Sequence, residues 1–149
     1  MAEERVQRRL AAIMAADVVG YSRLMEEDEQ GTLAQLKILR SEIFDSGLTD
    51  LNGRVVITMG DGVLAEFASA VDAVQHAVKV QQAIAERNQR GNQEQRIELR
   101  IGINVGDVIV EGGDLYGDGV NIAARLEALA EPGAIFISGT VYDQVGKKL

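Results

Sequence analysis

The chain has 149 residues, 46% of them apolar, with a formal charge of −8 and no cysteine. That length and composition fit one compact domain with a real core and argue against disorder. An acidic surface repels polyanions, which disfavours nucleic acid and anionic membrane as partners. Without cysteine there are no disulfides, thiolate metal sites or cysteine nucleophiles, and a cytoplasmic location is expected.

Residues 1–9 read as a polar N-terminal extension. Arg8 and Arg9 before the run Leu10 to Ala16 imitate a secretion signal, but Glu3 and Glu4 spoil its basic region and Asp17 ends it early. No stretch approaches the roughly 20 apolar residues that a membrane helix needs. Leu10 to Val19 is instead a nearly continuous apolar strand, covered on both faces and ending at Gly20, which puts Asp17 near its carboxyl end.

From Ser22 a long helical stretch is expected, with Leu36, Leu39 and Ile43 inward and an end near Ser46-Gly47. Its acidic run Glu26 to Glu29 reads as a solvated face. Arg54 to Thr58 and Val63 to Phe67 are strands around Met59-Gly60-Asp61-Gly62, and Asp-Gly between apolar runs signals a type I′ hairpin with Asp61 at its tip.

Ser69 and Asp72 form a capping box for a second helix reaching about Asn88, with Val71, Val74 and Val78 inward. The sole histidine, His76, reads there as a packing or surface residue. A polar loop to about Gln95 follows. Ile97, Leu99, Ile101, Ile103 and Val105 then alternate as a strand that continues through Val108 to Val110 and breaks at Gly112-Gly113. Gly117 to Leu129 is a third helix, stopped by Pro132-Gly133, with a strand at Ala134 to Ile137 and another helix from Thr140. Met14, Met25 and Met59 read as filler. The order strand, helix, hairpin, helix, strand predicts an α+β fold: a ferredoxin-like αβ sandwich, mainly antiparallel, with its helices on one face.

Asp17 and Asp61 each sit beside glycine at a strand end or turn inside apolar segments. Either alone reads as a strand terminator or a turn residue. Together, if the first strand pairs with the hairpin, they place two hard oxygen donors at one sheet edge, a pattern suited to two divalent ions about 3.5–4 Å apart.

Asp17-Val18-Val19-Gly20-Tyr21-Ser22, Gly60-Asp61-Gly62 followed by Phe67, and the run Tyr116 to Glu127 resemble, in order and spacing, the three signature blocks of class III adenylate and guanylate cyclases. The similarity runs from Leu10 to the last residue, and the third block is the most specific. It implies a cyclase domain over residues 10–149. It also implies two Mg2+ or Mn2+ ions held by Asp17, Asp61 and the Val18 carbonyl, and a triphosphate lined by the amides of Val19, Gly20, Tyr21 and Ser22. By the same resemblance Asn121 orients the ribose and Arg125 stabilises charge on the α-phosphate; without it, these two are a surface amide and a surface salt bridge. The family's sites lie between the two chains of a head-to-tail homodimer.

The sequence departs from the family twice. Asp114 matches a purine-reading residue that accompanies adenine, favouring ATP, but Ile57 stands where a lysine or glutamate should make the other polar contact. The family's C-terminal strand pair, with its triphosphate lysine, has no counterpart in the sequence. The expected function is therefore an adenylate cyclase forming 3′,5′-cyclic AMP, with a catalytically silent nucleotide-binding, dimerisation or regulatory module as the alternative. The Gly-Gly-Asp/Glu-Glu-Phe hairpin of diguanylate cyclases is absent, and the hairpin contradicts a doubly wound receiver fold.

Overall fold

A computed structural model describes residues 7–59, 61–91, 96–146 and 148. Most of the expected N-terminal extension, Gly60, the end of the loop expected up to Gln95, and Lys147 and Leu149 lie outside the described residues.

The first strand, β1 (Gln7–Val18), starts three residues before the apolar run, and its burial explains its composition. Ala12, Met14, Ala16 and Val18 face one core cluster, while Ala11, Ile13 and Ala15 face another. A strand buried on both faces has no polar side to display, hence the unbroken apolar run. Fully burying Ile13 or Met14 contributes about 1.5–3 kcal/mol each.

Helices α1 (Tyr21–Glu27) and α2 (Glu29–Ile38) replace the single long helix expected from Ser22. The break is Asp28, whose carboxylate accepts from the Gly31 N–H at 3.0 Å and so caps α2. A Cβ on Gly31 would meet that carboxylate at 2.1 Å, so glycine permits the cap. The acidic run is exposed as expected, but one of its members ends a helix. A π-helical turn (Leu39–Phe44) and a 3-10 turn (Thr49–Leu51) then lead to β2 (Gly53–Met59) and β3 (Gly62–Phe67).

Met59 pairs with Gly62, so Asp61 lies where β2 turns into β3. The type I′ geometry expected for this turn rests on Gly60 and so lies outside the described residues.

Helix α3 (Ala70–Arg90) is capped by Ser69, whose hydroxyl accepts from the Asp72 N–H at 3.1 Å. Its inward stripe is Ala70, Ala73, His76, Ala77, Val80 and Ile84; of the expected valines Val71 and Val74 are partly buried and pack against the same cluster, whereas Val78 is 41% exposed. Small alanines let the helix lie close to the sheet. β4 (Leu99–Glu111), β5 (Asp114–Tyr116), α4 (Asp118–Leu129), β6 (Ile135–Ile137) and α5 (Gly139–Val145) complete the chain. The three-residue β5, which the sequence pattern did not reveal, forms a hairpin with β4 across Gly112-Gly113.

The sheet order is β2-β3-β1-β4-β5, antiparallel throughout, with β6 pairing in parallel along β4. It is curled: Arg54 on edge strand β2 donates to the carbonyl of Gly113, beside the opposite edge strand, at 3.3 Å. Helices cover both faces rather than one. Residues of α3, the π-helical turn and α5 join the larger cluster, whereas Ala123 of α4 joins the smaller cluster on the other face.

Candidate active site at the carboxyl end of the first strand

Pairing of β1 with β3 brings the hairpin turn to the end of β1. The Val18 N–H donates to Asp61 Oδ2 at 3.1 Å, so the turn carboxylate docks on the residue next to Asp17. The two aspartates expected to act together are therefore neighbours at one sheet edge.

Asp17 is also held from the other side. Its cross-strand partner on β4 is Arg100, whose Nε donates to Oδ1 at 3.1 Å and whose Nη2 donates to Oδ2 at 3.0 Å. Arg100 reaches further, to the Ala128 carbonyl at 3.3 Å and to within 3.8 Å of Glu127. The Glu127 side chain is only 12% exposed, and its carboxyl is pushed up to about 8, chiefly by burial and then by donating a hydrogen bond to Asp17. Arg100 opposes that shift without cancelling it.

Neither Arg100 nor Glu127 was singled out from the sequence. Arg100 is the lone charge between Leu99 and Val105, a signal that register turns into a contact with Asp17. Glu127 continues the buried positions Gly119 and Ala123 at a spacing of four. It arrives at the cluster because β4 carries Gly102, where a Cβ would meet the Glu127 N at 2.3 Å and the Ala123 carbonyl at 2.5 Å. Only glycine there lets α4 lie so close.

Downstream of Val18, the Val19 N–H is already committed to the Glu98 carbonyl at 2.9 Å. Gly20 adopts φ +67 as the N-cap of α1, so the N–H groups of Tyr21 and Ser22 fall in a first turn that has no intrahelical partner for them. Tyr21 packs partly against the larger core and Ser22 is exposed. Ile57, half-buried, lies opposite Leu64 just past a bulge in β2 that re-aims the strand.

Asp114 stands elsewhere. It opens β5 opposite Glu111, at the far end of β4 from the Asp17–Arg100 pair. Its oxygens accept from the Leu115 N–H at 2.8 Å and the Tyr116 hydroxyl at 3.3 Å. Asn121 and Arg125 are exposed on the side of α4 opposite Ala123 and Glu127, and Arg125 makes no ion pair among the described residues. The surface salt bridge considered for Arg125 is thus not formed among the described residues. One chain brings together Asp17, Val18 and Asp61, but not the outward-facing Asn121 and Arg125 or the distant Asp114.

Residues 4–148 match the family model of the adenylate and guanylate cyclase catalytic domain. The chain belongs to that family. Over 97% of its length the cyclase domain is 51% identical to putative adenylate cyclase 3 of Rhizobium meliloti (strain 1021), and over 91% it is 37% identical to an adenylate cyclase of Streptomyces coelicolor. It spans only 25% and 34% of those two proteins. Its fold matches a crystal structure of an adenylate/guanylate cyclase/hydrolase from Silicibacter pomeroyi with a TM-score of 0.91 at 46% identity, covering 97% of this chain and 84% of that one.

The donor set fits a hard divalent cation. Asp61 is bound to the N–H of Val18, the residue next to Asp17, and Asp17 already holds a cationic group in Arg100. Among the described residues no three His, Asp or Glu side chains form a ready-made cage. No helix among the described residues is long and apolar enough to cross a membrane.

Proposed function

We propose that this cyclase domain converts ATP to 3′,5′-cyclic AMP and pyrophosphate in the cytoplasm, as a head-to-tail homodimer whose active sites are each built from both chains. The observation that carries this reading is the division of residues on one protomer. Asp61 docks beside Asp17 at the end of β1, while Asn121 and Arg125 leave α4 on its outer face with no side-chain partner among the described residues. Residues so divided converge on one nucleotide only if a second copy supplies the other half.

Asp17, Asp61 and the Val18 carbonyl would hold two Mg2+ or Mn2+ ions, which supply charge neutralisation on the triphosphate and acidify the ribose 3′-hydroxyl. The free amides at Gly20, Tyr21 and Ser22 line the triphosphate; Val19 contributes its place in the loop more than its N–H, which Glu98 occupies. The partner copy's Asn121 orients the ribose, and the same helix's Arg125 forks onto the α-phosphate as charge builds there. The 3′-oxygen bonds to the α-phosphorus, the bond to the bridging α–β oxygen breaks, pyrophosphate leaves and the hydroxyl proton passes to water. Asp114 accepts from the exocyclic amine of adenine, and Ile57 offers the base only an apolar contact.

Ile57 also supports a second reading, a silent module that binds nucleotide weakly and acts through dimerisation, because a base contact without a polar group costs affinity and selectivity. Cyclic nucleotide formation from ATP and GTP with Mn2+, at protein concentrations spanning dimerisation and with an Asp17→Asn control, separates the two. Concentration-dependent cyclic AMP that vanishes in the control supports the enzyme. Absence of product from both nucleotides, with recovery in Ile57→Lys, supports the silent module.

A further inference from the structure

Ile57 and Asp114, the two positions read as facing the base, lie on strands that do not pair. β2 and β5 end opposite sides of the sheet order, so no ladder hydrogen bond fixes the distance between them. Val56 and Leu115 belong to the same apolar cluster, which draws the two edges together, but apolar packing is non-directional and leaves their spacing loose. A directional contact spans the gap. Arg54, three residues before Ile57 on β2, donates through Nη1 to the Gly113 carbonyl at 3.3 Å, and Gly113 immediately precedes Asp114. The turn it grips is open, since a Cβ on Gly112 or Gly113 would meet nothing within 4 Å.

Arg54 is itself held. Its Nε donates at 2.9 Å to Oε1 of Glu66, its cross-strand partner on β3, and Arg9 of β1 pairs with the other oxygen of the same carboxylate. Glu66 is buried, where a carboxylate is costly unless its oxygens are matched, and arginines from both flanking strands match them. Arginine can hold Glu66 with one nitrogen and Gly113 with another, which a lysine ammonium cannot do over that reach. The Asp114 side chain is set locally by the Leu115 N–H at 2.8 Å and the Tyr116 hydroxyl at 3.3 Å. What Arg54 adds is the place of that hairpin relative to β2.

We infer that Arg54, braced by Glu66, is a positioning residue for purine selection: by tying β2 to the β4–β5 turn it sets how far Asp114 stands from Ile57, and so where that carboxylate meets the exocyclic amine of the base. The inference rests on the reading of Asp114 given above. Ile57 offers no polar group, so selection for the amine falls on Asp114, and a hydrogen bond weakens steeply when its geometry is spoiled.

The test compares ATP with purine riboside triphosphate, which lacks the amine. KM and kcat for cyclisation with Mn2+ are measured for the full-chain wild type, Arg54→Lys, Asp114→Ala and the combination of the two. Lysine keeps a cation beside Glu66, and a further variant carrying Arg54→Met with Glu66→Gln removes both charges, so neither strands a buried carboxylate without its β2 partner. Loss of the Arg54 tie should raise KM for ATP about fivefold with kcat within about twofold and leave KM for the analogue unchanged, in both kinds of variant. Arg54→Lys should add nothing in the Asp114→Ala background. An equal rise for both nucleotides, or a full effect of Arg54→Lys without Asp114, overturns the positioning role while leaving Asp114 as a base contact. Unaltered preference for ATP in Asp114→Ala overturns that contact and the inference with it, and absence of turnover by the wild type overturns the cyclase reading beneath both.

Discussion

Arg100 holds Asp17 with two nitrogens, Nε on one carboxylate oxygen at 3.1 Å and Nη2 on the other at 3.0 Å, so the residue proposed to hold a metal ion already carries a cationic group from its own chain. The pair arises from cross-strand register, since Asp17 and Arg100 face each other on β1 and β4.

Arg100→Ala takes the guanidinium off both oxygens of Asp17. A partly exposed ion pair is worth about 0.2–1 kcal/mol, so Mn2+ should bind up to about fivefold more tightly in this variant. Calorimetric titration without nucleotide measures this directly, and unchanged or weaker binding would remove Arg100 as a competitor.

Glu127 makes stability depend on pH. Its carboxyl titrates near 8 in the folded chain against about 4.5 when unfolded, so between those values the folded state keeps a proton that the unfolded chain has lost. Stability should fall as pH rises from about 4.5 to about 8 and level off above. Thermal unfolding of metal-free protein should show Glu127→Gln gaining on the wild type across that window; parallel curves would contradict the assignment.

His76 pulls the other way. Burial holds its pKa below the usual 6.5, and it is completely enclosed, with Nε2 donating to the Phe44 carbonyl at 2.8 Å and Phe44 packed edge-on at 5.4 Å. Its stabilisation is full above about pH 6.5 and is lost on acidification through the lower folded value, because the unfolded chain takes the proton first. His76→Phe leaves that carbonyl unpaired, at about 1–3 kcal/mol. Urea midpoints at pH 5 and 7.5 should show the variant less stable at the higher pH, with a flattened acid response.

Gly102→Ala would drive a methyl into the backbone of α4 at Ala123 and Glu127. Overpacking of this kind costs about 1–3 kcal/mol, a drop in Tm of about 3–10 °C for a domain of this size. The helix should also separate from Arg100, so the Glu127-dependent pH slope should shrink in the same variant. A Tm within a degree of the wild type would mean that the close approach is unimportant.

Much of the site was legible in the sequence because Asp17 and Asp61 are charges beside glycine in apolar surroundings, and the run from Tyr116 to Glu127 is too specific to arise from helix patterning alone. Arg100 and Glu127 were not, because their contacts depend on register and on how closely a helix lies on a strand. The placement of α4 on the second face followed the same logic: an amphipathic stripe says that a helix packs, not on which side. Asp28 hid among acidic neighbours, since one carboxylate that caps a helix looks like three that are solvated. The centre of the α3 stripe was missed, though Val71 and Val74 do pack beside it, because alanine carries little hydrophobic signal yet permits the closest packing.

The most direct measurement is cyclic AMP formation by Asp17→Asn and Arg125→Ala proteins, alone and mixed. Each variant should fold normally, Arg125 in particular because it has no partner to lose, and each should be inactive alone. Mixed in equal amounts, they should recover about a quarter of wild-type turnover, because half the dimers are mixed and each mixed dimer holds one intact site of two. Silence of the mixture beside an active wild type, or turnover by Arg125→Ala alone, would contradict an active site shared between two copies of this chain.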